Sequence, residues 1–131
     1  MIHIVVDANI ILSALLGGSA RFVLFDHRFL FITSSHTIDE VSRYLPYVSK
    51  KSGVSVEELS QALGMLPLEI HEKAHYAARY PEAQRMMQDI DSHDSDILAL
   101  YLTESTYLWS EDKGFEKIQP SIHLLKTKDF F

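Results

Sequence analysis

The stretch "MIHIVVDANIILSALL", residues 1–16, changes its spacing at an acid: a β-branched run ends at Val6, Asp7 follows, and apolar residues resume at helical intervals. Residues 2–6 read as a buried strand and the stretch "NIILSALL" as a helix, so the chain opens on a strand-to-helix turn that carries a carboxylate. The segment has no basic leader and holds Asp7 inside its apolar run, which reads as part of the fold and not as a signal peptide.

The same alternation continues outward. "SARFVLFDH" gives a second short helical stretch beyond Gly17 and Gly18, and "FLFIT" at 29–33 a second strand. A helix is expected from Ser34 or Ser35, with Ile38, Val41, Leu45 and Val48 forming its apolar stripe. Ser55 and Glu58 have capping-box spacing ahead of another helix. Residues 46–66, with Pro46, two lysines and Gly53, read as a local insertion or mobile element. A short strand is expected at 67–70, helix over most of 72–90 with a break near Pro81, a buried helix at 94–104, and strands at 106–109 and 121–125. Strands alternating with helices predict a mostly parallel sheet covered on both faces, an α/β architecture. At 131 residues, with no repeats or linker-like composition, residues 1–131 read as one domain.

Composition narrows the function. Hydrophobic residues make up 47% and charged residues 23%, an ordinary globular balance that argues against disorder. The absence of cysteine removes disulfide and thiolate chemistry and fits an intracellular, cytoplasmic setting. No run of eighteen apolar residues is present, so no membrane association is expected. The net charge of −6 lacks the basic footprint of a simple nucleic-acid binder, yet suits a nucleic-acid enzyme whose acids are gathered at a metal.

The acids fall where such a site would be built. Open parallel sheets bind ligands beyond the carboxyl ends of their strands. Asp7 follows the first strand, Asp112 comes three residues after the strand ending at Trp109, Glu40 sits in the early turns of the helix after the second strand, and Asp94 opens the buried helix. Each has an ordinary alternative: a loop-starting acid for Asp7, a solvated helix residue for Glu40 (with Asp39 competing for its role), and helix-starting acids for Asp94 and Asp112. Brought together, they repel; two like charges 4 Å apart cost about 4 kcal/mol at an effective dielectric near 20. A divalent cation relieves this, and an all-oxygen set suits Mg²⁺ or Mn²⁺.

Taken in order, these segments resemble the PIN-domain family of metal-dependent nucleases over nearly the whole chain. "VVDANIILSALL" is similar to the family's opening strand, acid and helix, with Asn9 at a following polar position. "ITSSHTIDEV" resembles its second motif, with Glu40 as the ligand-type acid; "DSHDSDILALYL" its third, with Asp94; and "YLWSEDKGF" its fourth, with Ser110 and Asp112. The chain departs from many relatives at Gly114, where they carry another acid, which bears on whether one metal or two are held. The resemblance implies a three-layer α/β/α sandwich and cleavage of RNA, commonly single-stranded, by water activated at Mg²⁺ or Mn²⁺. It implies Asp7, Asp94 and Asp112 as metal ligands, Glu40 as a ligand or water-orienting group, and Asn9 and Ser110 as supports for the carboxylates. It also implies a homodimer and, for small members, a toxin held by an antitoxin protein. Asp89, Asp91 and Asp96 are expected to be solvated charge or auxiliary groups.

Three other readings compete. "HEKAH" at 71–75 matches the H-E-x-x-H of zinc-protease helices, but no Gly and third His follow, and a surface helix is the default. Phosphoaspartate phosphatases want an acid at Asn9, and receivers an acidic pair before the acceptor; neither is present. A PIN-like module that has lost catalysis and acts by binding protein or RNA is the remaining alternative. Phe22, Phe25, Phe29 and Phe31 are expected in the core or at a dimer face.

Overall fold

The computed structural model describes all residues from Met1 to Phe131. Alternation along the first strand sets the layers. In β1 (Ile2–Val6), Ile4 and Val6 enter one apolar layer while Val5 enters the other. The neighbouring strand β2 (Phe29–Ser34) divides in the same way, Phe31 to the first layer and Ile32 to the second. β3 (Leu68–His71), β4 (Tyr107–Trp109) and β5 (Leu124–Leu125) complete a five-stranded sheet in the order β3-β2-β1-β4-β5. Every pairing is parallel, from Ile2 opposite Phe29 in the centre to Trp109 opposite Leu125 at the edge.

Helices α1 (Ala8–Leu15), α2 (Ala20–Leu24), α3 (Ser35–Ser52) and α4 (Val56–Met65) bury residues in the first layer with Trp109. Helices α5 (Lys73–Tyr76), α6 (Tyr80–Met87), α7 (Ser95–Glu104) and α8 (Lys113–Glu116) bury theirs in the second. The architecture is therefore the expected α/β/α sandwich. α7 is buried from Ser95 through Tyr101, which explains its run of apolar residues without a clear polar stripe. No helix is long and apolar enough to cross a membrane.

Several local expectations need correction. Residues 46–66 are not an insertion: α3 runs through Pro46 to Ser52, and α4 places Leu59 and Leu63 in the first layer. A proline inside a helix removes one ladder bond. Here it lies on the exposed face, and Val41, Leu45 and Val48 hold the opposite face in the core across the defect. The expectation for 72–90 holds: the segment is mostly helical and breaks just before Pro81, at a one-turn 3-10 segment (Ala77–Arg79), and Pro81 falls in the first turn of α6, where its missing N–H is harmless. Of 121–125 only Leu124 and Leu125 pair; Ile122 is buried without joining the sheet.

The sheet order places the reversal of direction beside β1. The chain moves outward through β2 and β3 on one side, then crosses to β4 and β5 on the other. The β1–β4 seam continues past the strand end, because the Asp7 N–H donates to the Trp109 carbonyl at 3.1 Å. Asp7 and the Ser110–Asp112 segment thus emerge side by side at the crevice.

Candidate metal centre

Asp7 ends β1 and is the N-cap of α1, its Oδ1 accepting from the Ala8 N–H at 2.8 Å. Its Oδ2 accepts from the Ser110 hydroxyl at 2.7 Å and from Asn9 Nδ2 at 3.1 Å. Asn9 also donates to Ser110 Oγ at 3.1 Å, and its Oδ1 accepts from the Glu111 N–H at 3.1 Å. Ser110 Oγ in turn accepts from the Asp112 N–H at 3.0 Å. These bonds join the turns after β1 and β4 into one network that fixes the Asp7 carboxylate. At 5% exposure, burial still outweighs the donors and lifts the Asp7 carboxyl to about 6, with Asp112 and Glu40 adding repulsion.

Asp112 is the N-cap of α8, its Oδ1 accepting from the Gly114 N–H at 2.9 Å. Asp94 is the N-cap of α7, after a one-turn 3-10 segment (Ser92–Asp94), but its side chain caps nothing. Instead, one oxygen from each of Asp7, Asp94 and Asp112 lies within 4.8 Å of the others. Burial and the charges of Asp7, Asp112 and Asp91 hold the Asp94 carboxyl well above the usual range. Asp94 Oδ2 and the adjacent Ser95 Oγ are the two buried side-chain polar atoms that lack a hydrogen-bond partner. With both acids ionised, neither Asp94 nor Asp112 has a proton to share, so the orphaned oxygen is left to a proton or a cation. Three close carboxylates, one with an unpartnered buried oxygen, fit a divalent cation that takes oxygen ligands.

The acids line a cleft of about 450 Å³ together with Asn9, Glu40, Arg43, Tyr44, Asp91 and His93. Glu40 stands on its wall, outside the group of three. Its Oε1 is 3.3 Å from His36 Nε2, one helical turn earlier, and burial raises its carboxyl against the lowering influence of His36, Arg43 and His93. His36 and His93 were not singled out from sequence; the i,i+4 spacing of His36 and Glu40 was the available signal. Asp89 and Asp91 are exposed, as expected of solvated acids.

Asp96 is a correction. It is buried, 7% exposed, and its Oδ2 accepts from the Tyr76 hydroxyl at 2.6 Å, while Oδ1 lies 4.0 Å from His36 Nε2. Burial and this carboxylate both raise the Tyr76 phenol. Tyr76→Phe leaves a buried carboxylate without its donor and should cost about 1–3 kcal/mol, read as a lower denaturant midpoint at unchanged m-value.

At Gly114, an added Cβ would stand 2.9 Å from Ile90 Cγ2 and 3.3 Å from Asp112 Oδ1. The side chain of Ile90 occupies the space through which a further acid would project. The expected aromatic grouping splits: Phe31 is core and Phe29 packs beside it, whereas Phe22 and Phe25 are 63% and 56% exposed.

A parallel sheet with this cluster at its crevice defines a class, and the comparisons name it. The PIN domain model matches residues 5–126, and the chain belongs to the PIN-domain family, which includes the nucleases of toxin–antitoxin systems. Similar solved structures include VapBC2 of Rickettsia felis bound to a DNA fragment from its promoter (TM-score 0.74, 19% identity, covering 95% of this chain and 98% of that one). FitAcB of Neisseria gonorrhoeae follows at TM-score 0.64 and 20% identity, covering 93% and 96%. VapC20 of Mycobacterium tuberculosis, a Sarcin-Ricin loop cleaving toxin, follows at 0.60 and 14%, covering 88% and 95%. No curated protein sequence matches the chain.

Proposed function

We propose that this protein is a divalent-cation-dependent endoribonuclease that cuts single-stranded RNA and serves as the toxin of a toxin–antitoxin pair. The observation that carries the reading is the convergence of Asp7, Asp94 and Asp112, with an orphaned buried oxygen on Asp94, at the crevice of the sheet. In this reading the three aspartates hold Mg²⁺ or Mn²⁺. When bound, the cation would neutralise the carboxylates, polarise a phosphodiester oxygen and lower the pKa of a water so that it gives up a proton and becomes a competent nucleophile. Glu40, raised above the ordinary carboxylate range, orients that water or takes its proton. Arg43 and His93 on the cleft wall are cationic or polar partners for the flanking phosphates, offsetting the acidic surroundings of the substrate.

Asn9 and Ser110 serve by fixing Asp7. Ser110→Ala removes the shortest donor to Asp7 Oδ2 and should weaken Mn²⁺ binding by about 10–100-fold, measured by calorimetry, with the fold retained. The antitoxin partner is inferred from the similar solved structures, among them a toxin-antitoxin complex from Klebsiella pneumoniae. Exposed Phe22 in α2, Phe25 at its C-cap, and Tyr44 and Tyr47 in α3 supply apolar surface for such a partner or for a homodimer.

A second reading is favoured by Gly114 and Ile90: a PIN-like module whose incomplete acid set serves binding and not cleavage. Labelled single-stranded RNA incubated with EDTA, Mg²⁺, Mn²⁺ or Zn²⁺ separates the two. Cation-dependent cleavage that is lost in Asp7→Asn and Asp94→Asn supports the nuclease. Clean protein that is inert with every cation supports the binding module.

A further inference from the structure

The motif "HEKAH" is absorbed by none of this, and it does not form the helix its spacing suggests. His71 closes β3, Glu72 is the N-cap of α5, and of the two histidines only His75 lies within the helix. The turn between strand and helix folds the two imidazoles together, stacked with centroids 4.1 Å apart and planes at 19°. A carboxylate from elsewhere meets them: Glu104, at the end of α7, places Oε1 2.7 Å from His75 Nε2. One donor atom from each of His71, His75 and Glu104 lies within 4.8 Å of the others. Glu69, two residues before His71 on the same side of β3, places Oε2 3.4 Å from His71 Nε2.

We propose that His71, His75 and Glu104 form a second metal site, selective for Zn²⁺ and separate from the acidic cleft, with Glu69 or water in the fourth position. Two imidazoles and a carboxylate are the ligand types of borderline-soft late first-row cations, whereas the three aspartates of the cleft suit harder ones. Tetrahedral Zn²⁺ with bonds of about 2.0–2.1 Å needs donors about 3.4 Å apart. The donors now stand within 4.8 Å of one another, and the imidazoles must turn out of their stacked arrangement for their ring nitrogens to converge on one ion.

The two sites are physically distinct. Consecutive residues of α5 reach opposite ends of α7: Tyr76 bonds to Asp96, His75 to Glu104. Eight residues of helix separate these partners, about 12 Å along the axis. A cation here ties β3, α5 and the end of α7 together and leaves the cleft untouched.

The test is calorimetric titration of the full chain with Zn²⁺ in a large excess of Mg²⁺, together with NMR of the histidine rings. One equivalent of Zn²⁺ is expected to bind. His75→Gln and His71→Ala should each weaken it by at least about 100-fold, the upper end of what outer-shell partners alone are worth. Asp94→Asn should leave the Zn²⁺ affinity unchanged. In the wild-type chain, which removes any question of misfolded variants, Zn²⁺ should move the ring resonances of His71 and His75 ahead of those of the other five histidines. Equal Zn²⁺ affinity in the histidine variants, loss of binding in Asp94→Asn, ring shifts confined to other histidines, or no binding at micromolar Zn²⁺ would each overturn the site.

Discussion

Asp94→Asn is expected to abolish RNA cleavage and, without divalent cations, to raise the thermal midpoint of the chain. Both effects come from one atom. Asp94 Oδ2 is buried with no donor, beside Asp7 and Asp112, and its side chain makes no cap to α7. Ionised, it adds repulsion that the fold alone does not relieve. The amide of Asn is neutral, fills the same volume and offers a donor to either neighbouring carboxylate. The same change removes a negative ligand from the proposed cation, and the loss should exceed about 100-fold in kcat/KM, or about 3 kcal/mol of transition-state stabilisation. Paired measurements of cleavage with Mn²⁺ and of melting in EDTA check both halves. A variant that melts lower than the parent in EDTA, or one that cuts at the parent's rate, would remove Asp94 from the centre.

The second large effect is a fall in stability as pH rises when divalent cations are withheld. Asp7 has its folded carboxyl near 6 against 3.8 for an unconstrained Asp. Between these values the unfolded chain has already lost a proton that the folded chain retains. The unfolded state therefore binds fewer protons, and stability declines with rising pH through this window. For this nearly fully buried group the decline amounts to about 3 kcal/mol, or roughly 10 °C in midpoint for a domain of this size. Asp94 and Glu40 are raised as well and act in the same direction, extending the decline upward. The exposed Asp26, lowered to about 2 by Arg28, contributes only in acid below this range. Melting in EDTA from pH 4 to 8 should show the fall, Mg²⁺ should reverse most of it at pH 8 and little at pH 4, and Asp7→Asn should remove the part below about pH 6 and leave the part carried by Asp94 and Glu40. A midpoint that climbs over this range would contradict the burial of an ionisable Asp7.

Both effects depend on residues legible in the chain, for a physical reason. Asp7, Asp94 and Asp112 lie at junctions where strand or loop passes into helix, and junctions are marked by local change in residue spacing. The rule that parallel strands open their ligand crevice at one edge then brings the junctions together without knowledge of distances. Asp96 shows where this stops. It is two residues from Asp94 and the same residue type, and its buried carboxylate is satisfied by Tyr76, twenty residues away on another helix. Pro46 misled in the opposite sense: its local propensity breaks helices, but a continuous buried stripe on the far face held the helix. In "HEKAH" the spacing was helical by coincidence, since the strand boundary fell at His71, a position fixed by pairing with Ser34 across the sheet. Local patterns carried the junctions, and contacts distant in sequence decided the rest.

The hydrogen-bonding roles of the three aspartates bear on how such a chain can change over generations. Asp7 and Asp112 each spend one oxygen on a backbone N–H, a duty Asn performs nearly as well, and Asp94 spends none. Replacing any one of them by Asn, a single-nucleotide change, would silence the proposed cleavage and keep the folded surface open to the proposed partner. A lineage could thus shed the proposed activity in one step while retaining the proposed association, and regain it by the reverse step.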